Sequence, residues 1–125
     1  MSRPFDVAGR IRSFRHAFNG VFVMLKTQHN AWVHLLATIF VCGAGVYFRI
    51  TRSEWCWLIL AIMAVWTAEA LNTALEFLAD ATNPASHPLV GKAKDVAAGA
   101  VLISAIGAIV IGILVFGPYL LHFIR

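Results

Sequence analysis

Charge is what this sequence has least of. Only 13% of its 125 residues are charged and 60% are hydrophobic, whereas a soluble domain carries about a quarter charged residues. That shortage excludes water as the solvent for most of the surface, and the length leaves room for a single domain, residues 1–125. Cysteine is nearly as scarce. Cys42 and Cys56 lie in or beside apolar stretches, without metal-ligand spacing and too few for a disulfide framework, so they are expected to pack as small hydrophobes. No glycine-rich loop of the P-loop type occurs, which excludes that kind of nucleotide cradle. Nor does the basic N-terminus lead into a short apolar core with a small-residue cleavage site, so no signal peptide is read there.

Apolar runs are present in quantity. Three segments, 31–50, 55–79 and 96–121, reach or exceed the roughly 20 residues that cross a hydrocarbon core of about 30 Å as a helix. Helices are favoured over strands because the runs are continuous and a lone three-stranded sheet would leave its edges unpaired in lipid. Ahead of them, over 5–27, Phe5, Ile11, Phe14, Phe18, Val21, Phe22 and Leu25 fall near helical spacing, with Arg10, Arg12, Arg15 and Lys26 interleaved. This pattern predicts an amphipathic helix lying in the membrane interface. The expected fold class is therefore an all-α integral membrane protein of three transmembrane helices plus an N-terminal amphipathic surface helix. In the third span Ala100, Ser104, Ala108 and Gly112 recur every four residues, a stripe that lets helices approach closely.

The net charge is +4, but the basic residues gather before the first apolar run, which suits anionic lipid headgroups and not nucleic acid. Arg3, Arg10, Arg12, Arg15, Lys26, Lys92 and Lys94 fall on one side of the three spans, and Arg49, Arg52 and Arg125 on the other. The bias predicts a cytoplasmic N-terminus and a C-terminus on the far side. The loop after the second span, DATNPASHPLVGKAKD, is then cytoplasmic too, and its prolines mark a helix break.

Near the end of the second span stands EALNTALE. Glu69, Asn72, Thr73, Glu76 and Asp80 are spaced to share one helical face that winds toward the cytoplasmic end. A carboxylate turned to lipid costs on the order of 3 kcal/mol, so several on one stripe point to a shared, partly wet cavity. Across the loop, Lys94 and Asp95 are expected to open the third helix at the level of Glu76 and Asp80. Paired acids with a lysine nearby are what a magnesium-bound polyphosphate needs, oxygen ligands for a hard cation and an ammonium for phosphate. Asp95 serves equally as a helix cap.

EALNTALE, HPLVGKAKDVAAGAVL and the upstream SFRHAFNG together resemble the prokaryotic diacylglycerol kinase family, which includes undecaprenol kinases, over about 12–121. The resemblance implies a homotrimeric enzyme of the bacterial inner membrane, with sites shared between subunits on the cytoplasmic side. Such enzymes move the γ-phosphoryl group of ATP, with Mg2+, onto the hydroxyl of a lipid alcohol, diacylglycerol or undecaprenol. Carried over by position, Glu69 matches the proposed general base and Asn72 the group orienting it. Arg12, His16, Gln28, Glu76, Asp80, Ser86, His87, Lys94 and Asp95 match positions around ATP, Gln28 and Glu76 the metal, and Glu69 and Ala98 the lipid substrate. One departure stands out: Gln28 occupies a position where the family commonly has a glutamate, so the carbonyl can ligate magnesium but adds no negative charge. The residues alone also admit a small ion-coupled transporter, whose carboxylates would relay protons, and the Gln28 departure admits a catalytically impaired member of the family.

Overall fold

The computed structural model describes residues 4–82 and 87–125. The first helix, α1, runs Val7–Thr27, and its start is set by Asp6, whose Oδ1 accepts from the Ala8 N–H at 3.1 Å. An acceptor there satisfies one of the donors that every helix leaves unpaired at its N-terminus. The helix ends at Gln28, which is extended (φ −111°, ψ 118°), and α2, His29–Phe48, begins at once. Arg49 then adopts a left-handed conformation (φ 53°) and closes α2 with its N–H on the last carbonyls. This turn is tight enough to need a glycine: a Cβ on Gly45 would stand 2.6 Å from the Trp55 ring.

Helix α3 covers Arg52–Thr82 and α4 covers Pro88–Ile124. The Thr51 Oγ1 accepts from the Glu54 N–H while Glu54 Oε2 accepts from the Thr51 N–H, a reciprocal cap on α3. His87 caps α4, followed by Pro88 at a position where its missing N–H costs nothing. Both helices outrun the expected spans. At 31 and 37 residues they extend for about 46 and 55 Å, well past a hydrocarbon core of about 30 Å. Because α4 starts at Pro88, Asp95 lies two turns inside it and caps nothing, so that role is ruled out.

Three of the four helices, α2 to α4, are long and apolar enough to cross a membrane. The most extensive pairing is α3 with α4; α2 leans on α3, and α1 touches α2 and α3 only lightly. The apolar core sits at the end remote from EALNTALE, where Ile50, Leu58 and Val115 are buried beneath Phe48, Trp55, Phe116 and Tyr119. Elsewhere large apolar side chains point outward, among them Phe40, Leu71, Ile103, Leu114 and, on α1, Phe14 and Phe18. An inverted surface of this kind suits lipid. A Cβ on Gly112 would meet nothing within 4 Å, and within the chain the small-residue stripe of α4 borders clefts, Ala108 and Gly112 one and Ala100 and Ser104 another.

Candidate active site

The inward face of α3 changes chemistry halfway along. Leu58, Ala61 and Val65 are buried, and one turn further the same face continues as Glu69, Asn72 and Thr73, also buried. Glu76, still on that stripe, is half-buried, and Asp80 is exposed. The face therefore grades from dry to wet toward the loop, as the spacing in the sequence implies.

Glu69 is fully enclosed, at 0% exposure. Its Oε2 lies 3.2 Å from the His34 Nε2 of α2. With an ionised carboxylate, which only accepts, the imidazole N–H is the donor of this bond. The other oxygen, Oε1, is buried without a hydrogen-bond partner, and so is Asn72 Oδ1 one turn away. A buried acceptor left unpaired costs about 1–3 kcal/mol. Among the described residues these are the two buried side-chain acceptors left unpaired, one turn apart on α3, and together they offer a donor two places to bind. Thr73 is different: its Oγ1 donates to the Glu69 carbonyl at 2.8 Å, a bond within the helix that needs no ligand.

His34 did not follow from the motifs. It belongs to a different helix, and nothing in the spacing of EALNTALE reaches across 35 residues. The one signal was its presence as an ionisable side chain inside an apolar span, which is a mark of function in membranes. Its surroundings are ordered by a short polar chain. Trp66 Nε1 donates to Thr38 Oγ1 at 3.0 Å, Thr38 donates to the His34 carbonyl at 2.7 Å, and the Trp66 ring meets the imidazole edge-on at 6.2 Å.

Two clefts open beside this pair, between α2 and α4 and floored by α3. One, of about 290 Å³, is lined by Asn30, His34, Asn72 and Ala98 among others; the second, of about 360 Å³, runs on through Ala37, Val41, Ala61, Ala108 and Gly112. They share Val33, His34 and Ala105, so the polar pocket leads into an apolar trough.

Toward the loop, Lys94 Nζ and Asp80 Oδ1 pair at 3.0 Å, which brings α3 and α4 together at the level anticipated. This hydrogen bond, with the Asp80 charge behind it, holds the Lys94 ammonium above its usual pKa; Lys94 precedes the 96–121 apolar run. His87 Nδ1 accepts from the Leu89 N–H at 3.1 Å, so one ring nitrogen is engaged in capping. Asp95 is exposed, as are Arg12 and His16 on α1. Gln28 hydrogen-bonds its neighbour Thr27 at 3.3 Å and not the α3 stripe. Ser86 lies outside the described residues. Among the described residues no group of three or more His, Cys, Asp or Glu side chains is placed to hold a metal. The structure thus places Asn72 and Ala98 in the wall of one pocket together with His34, the partner of Glu69, and joins Asp80 to Lys94, while Arg12, His16 and Gln28 make no hydrogen bond or ion pair with either group.

A family model described as prokaryotic diacylglycerol kinase matches residues 15–116. An undecaprenol kinase of Bacillus subtilis is 37% identical over 109 residues, covering 87% of this chain and 89% of that protein. A diacylglycerol kinase of Synechocystis is 40% identical over 101 residues, 80% of this chain and 58% of the other. One from Helicobacter pylori is 28% identical over 124 residues, 94% of each. The chain belongs to the prokaryotic diacylglycerol kinase family. It is a lipid kinase of a bacterial membrane, which leaves no ground for the transporter alternative.

Proposed function

We propose that the chain transfers the γ-phosphoryl group of ATP to the hydroxyl of a lipid alcohol, with Glu69 as the general base. The observation that carries this reading is the half-satisfied carboxylate: Oε2 is tied to His34, which lines the apolar cleft, and Oε1 is buried without a partner. The lipid hydroxyl would donate to Oε1. As its oxygen bonds the γ-phosphorus, the bond from that phosphorus to the β–γ bridging oxygen breaks and ADP departs. The hydroxyl proton ends on Glu69. Asn72 steadies the headgroup from one turn away, and Lys94, presented by Asp80, offsets phosphate charge. Positioning and charge stabilisation supply most of the acceleration in phosphoryl transfer.

The donor set suits a hard divalent cation. Magnesium is commonly held by one or two carboxylates together with substrate phosphates and water, without a cage of protein ligands. Glu76 is half-buried and takes no part in the ion pairs among the described residues, so it would be the principal ligand, helped by the Gln28 carbonyl. Bound magnesium would neutralise phosphate charge and orient the triphosphate. Subunits would assemble as a homotrimer in the inner membrane with the N-terminus and site cytoplasmic, and α1 would lie in the interface with Phe14, Phe18 and Phe22 toward the acyl chains. The acceptor is an alcohol on an apolar tail, undecaprenol or diacylglycerol.

Purified protein in mixed micelles, given γ-labelled ATP, magnesium and either undecaprenol or dioleoylglycerol, should place label in the lipid phase. Glu69→Gln should lower it by roughly 10²–10⁴. Absence of lipid labelling with both acceptors would refute the proposal.

A further inference from the structure

We infer that His34 is a positioning residue for the Glu69 carboxylate: by holding Oε2, it leaves Oε1 alone to meet the acceptor hydroxyl. This rests on the reading of Glu69 as the base. The bond spans two helices at 3.2 Å, with the two side chains only 15% and 1% exposed, so little water competes for it. The torsion that turns a glutamate carboxylate is broad and weakly restrained, and an untethered base would spread over many orientations. A reacting atom displaced by about 1 Å can lose about a hundredfold in rate.

Three details separate a positioning role from a simple tie between helices. The carboxylate is anchored at one oxygen only, and a second unpartnered acceptor, Asn72 Oδ1, belongs to the next turn of the same helix face. His34 is itself braced, since Trp66 meets its ring and also secures, through Thr38, the backbone turn that carries it. And His34, the partner of Glu69, belongs to the walls of both clefts, where a lipid headgroup would approach the pair.

The experiment compares His34→Leu, which removes the donor, with His34→Gln, which restores an N–H of similar reach. Turnover in His34→Leu should fall about a hundredfold with KM for MgATP unchanged, and His34→Gln should recover most of the loss. Combining His34→Leu with Glu69→Gln should add nothing to the single loss. Independently of activity, 15N spectra of the histidine rings should show the His34 Nε2–H signal shift in Glu69→Gln. That measurement needs no His34 variant and therefore stands even where His34→Leu does not fold. The inference is overturned if folded His34→Leu turns over at the parental rate, if His34→Gln falls as far as His34→Leu, or if the imidazole signal ignores Glu69→Gln. An active Glu69→Gln would instead remove the base itself; an inactive Glu69→Gln beside a fully active His34→Leu removes only the role of His34.

Discussion

Two glutamates on one helix are treated in opposite ways. Glu54, at the start of α3, has Oε2 engaged by the Thr51 N–H at 2.9 Å and the Tyr119 hydroxyl at 2.7 Å, and Thr51 caps its own N–H in return. Around it Trp55 fills the space that Gly45 leaves open, and Ile50, Leu58 and Val115 close the core. Glu69, four turns on, is more deeply buried yet less satisfied, with one oxygen on His34 and the other on nothing. The far end spends its polar groups on joining helices; the end near the loop keeps acceptors in reserve. Stability and chemistry are thus separated along a single helix, and substitutions at the two ends should separate as well.

The largest effect is expected at Glu69. Glu69→Gln should lower turnover by roughly 10²–10⁴, the usual contribution of a general base, without lowering the thermal midpoint; a clear loss of stability in step with activity would make Glu69 another Glu54. Next comes Gly45→Val, where the added methyls collide with Trp55. Overpacking of this kind costs about 1–3 kcal/mol, which denaturant titration in detergent would read, while activity per folded molecule should persist. Tyr119→Phe should lower the melting midpoint more modestly, again with turnover intact. A turnover defect in either far-end variant would erase the division drawn here. Gln28→Glu should reduce the magnesium concentration needed for half-maximal activity, because it adds a negative oxygen ligand to the proposed site. The smallest effect is expected from Asp80→Asn. Its pair with Lys94 is largely exposed, and exposed pairs contribute little to stability, so the melting midpoint should not move while KM for MgATP rises slightly.

Much of the architecture was legible in the residues. Continuous apolar runs named the three long helices, and the spacing of Glu69, Asn72 and Glu76 placed them on one face, since helical periodicity is a local property of the backbone. The boundaries were less legible. Asp95 offered a cap as one of two roles, but His87 and Pro88 start α4 earlier, and a proline that needs no N–H is a stronger opening than a carboxylate seven residues later. The small residues of α4 were legible as a stripe, but only the packing showed that two of them, Ala108 and Gly112, border the trough.

By itself the sequence determined that the chain is helical and apolar over most of its surface, and that carboxylates share a stripe on α3, because hydropathy and the 3.6-residue period act over neighbouring residues. The tertiary structure alone decided which oxygen of Glu69 is held, that His34 holds it, and that a cleft leads to the pair. Those outcomes depend on how α2 and α4 are laid against α3, and no local periodicity encodes the distance between side chains on separate helices.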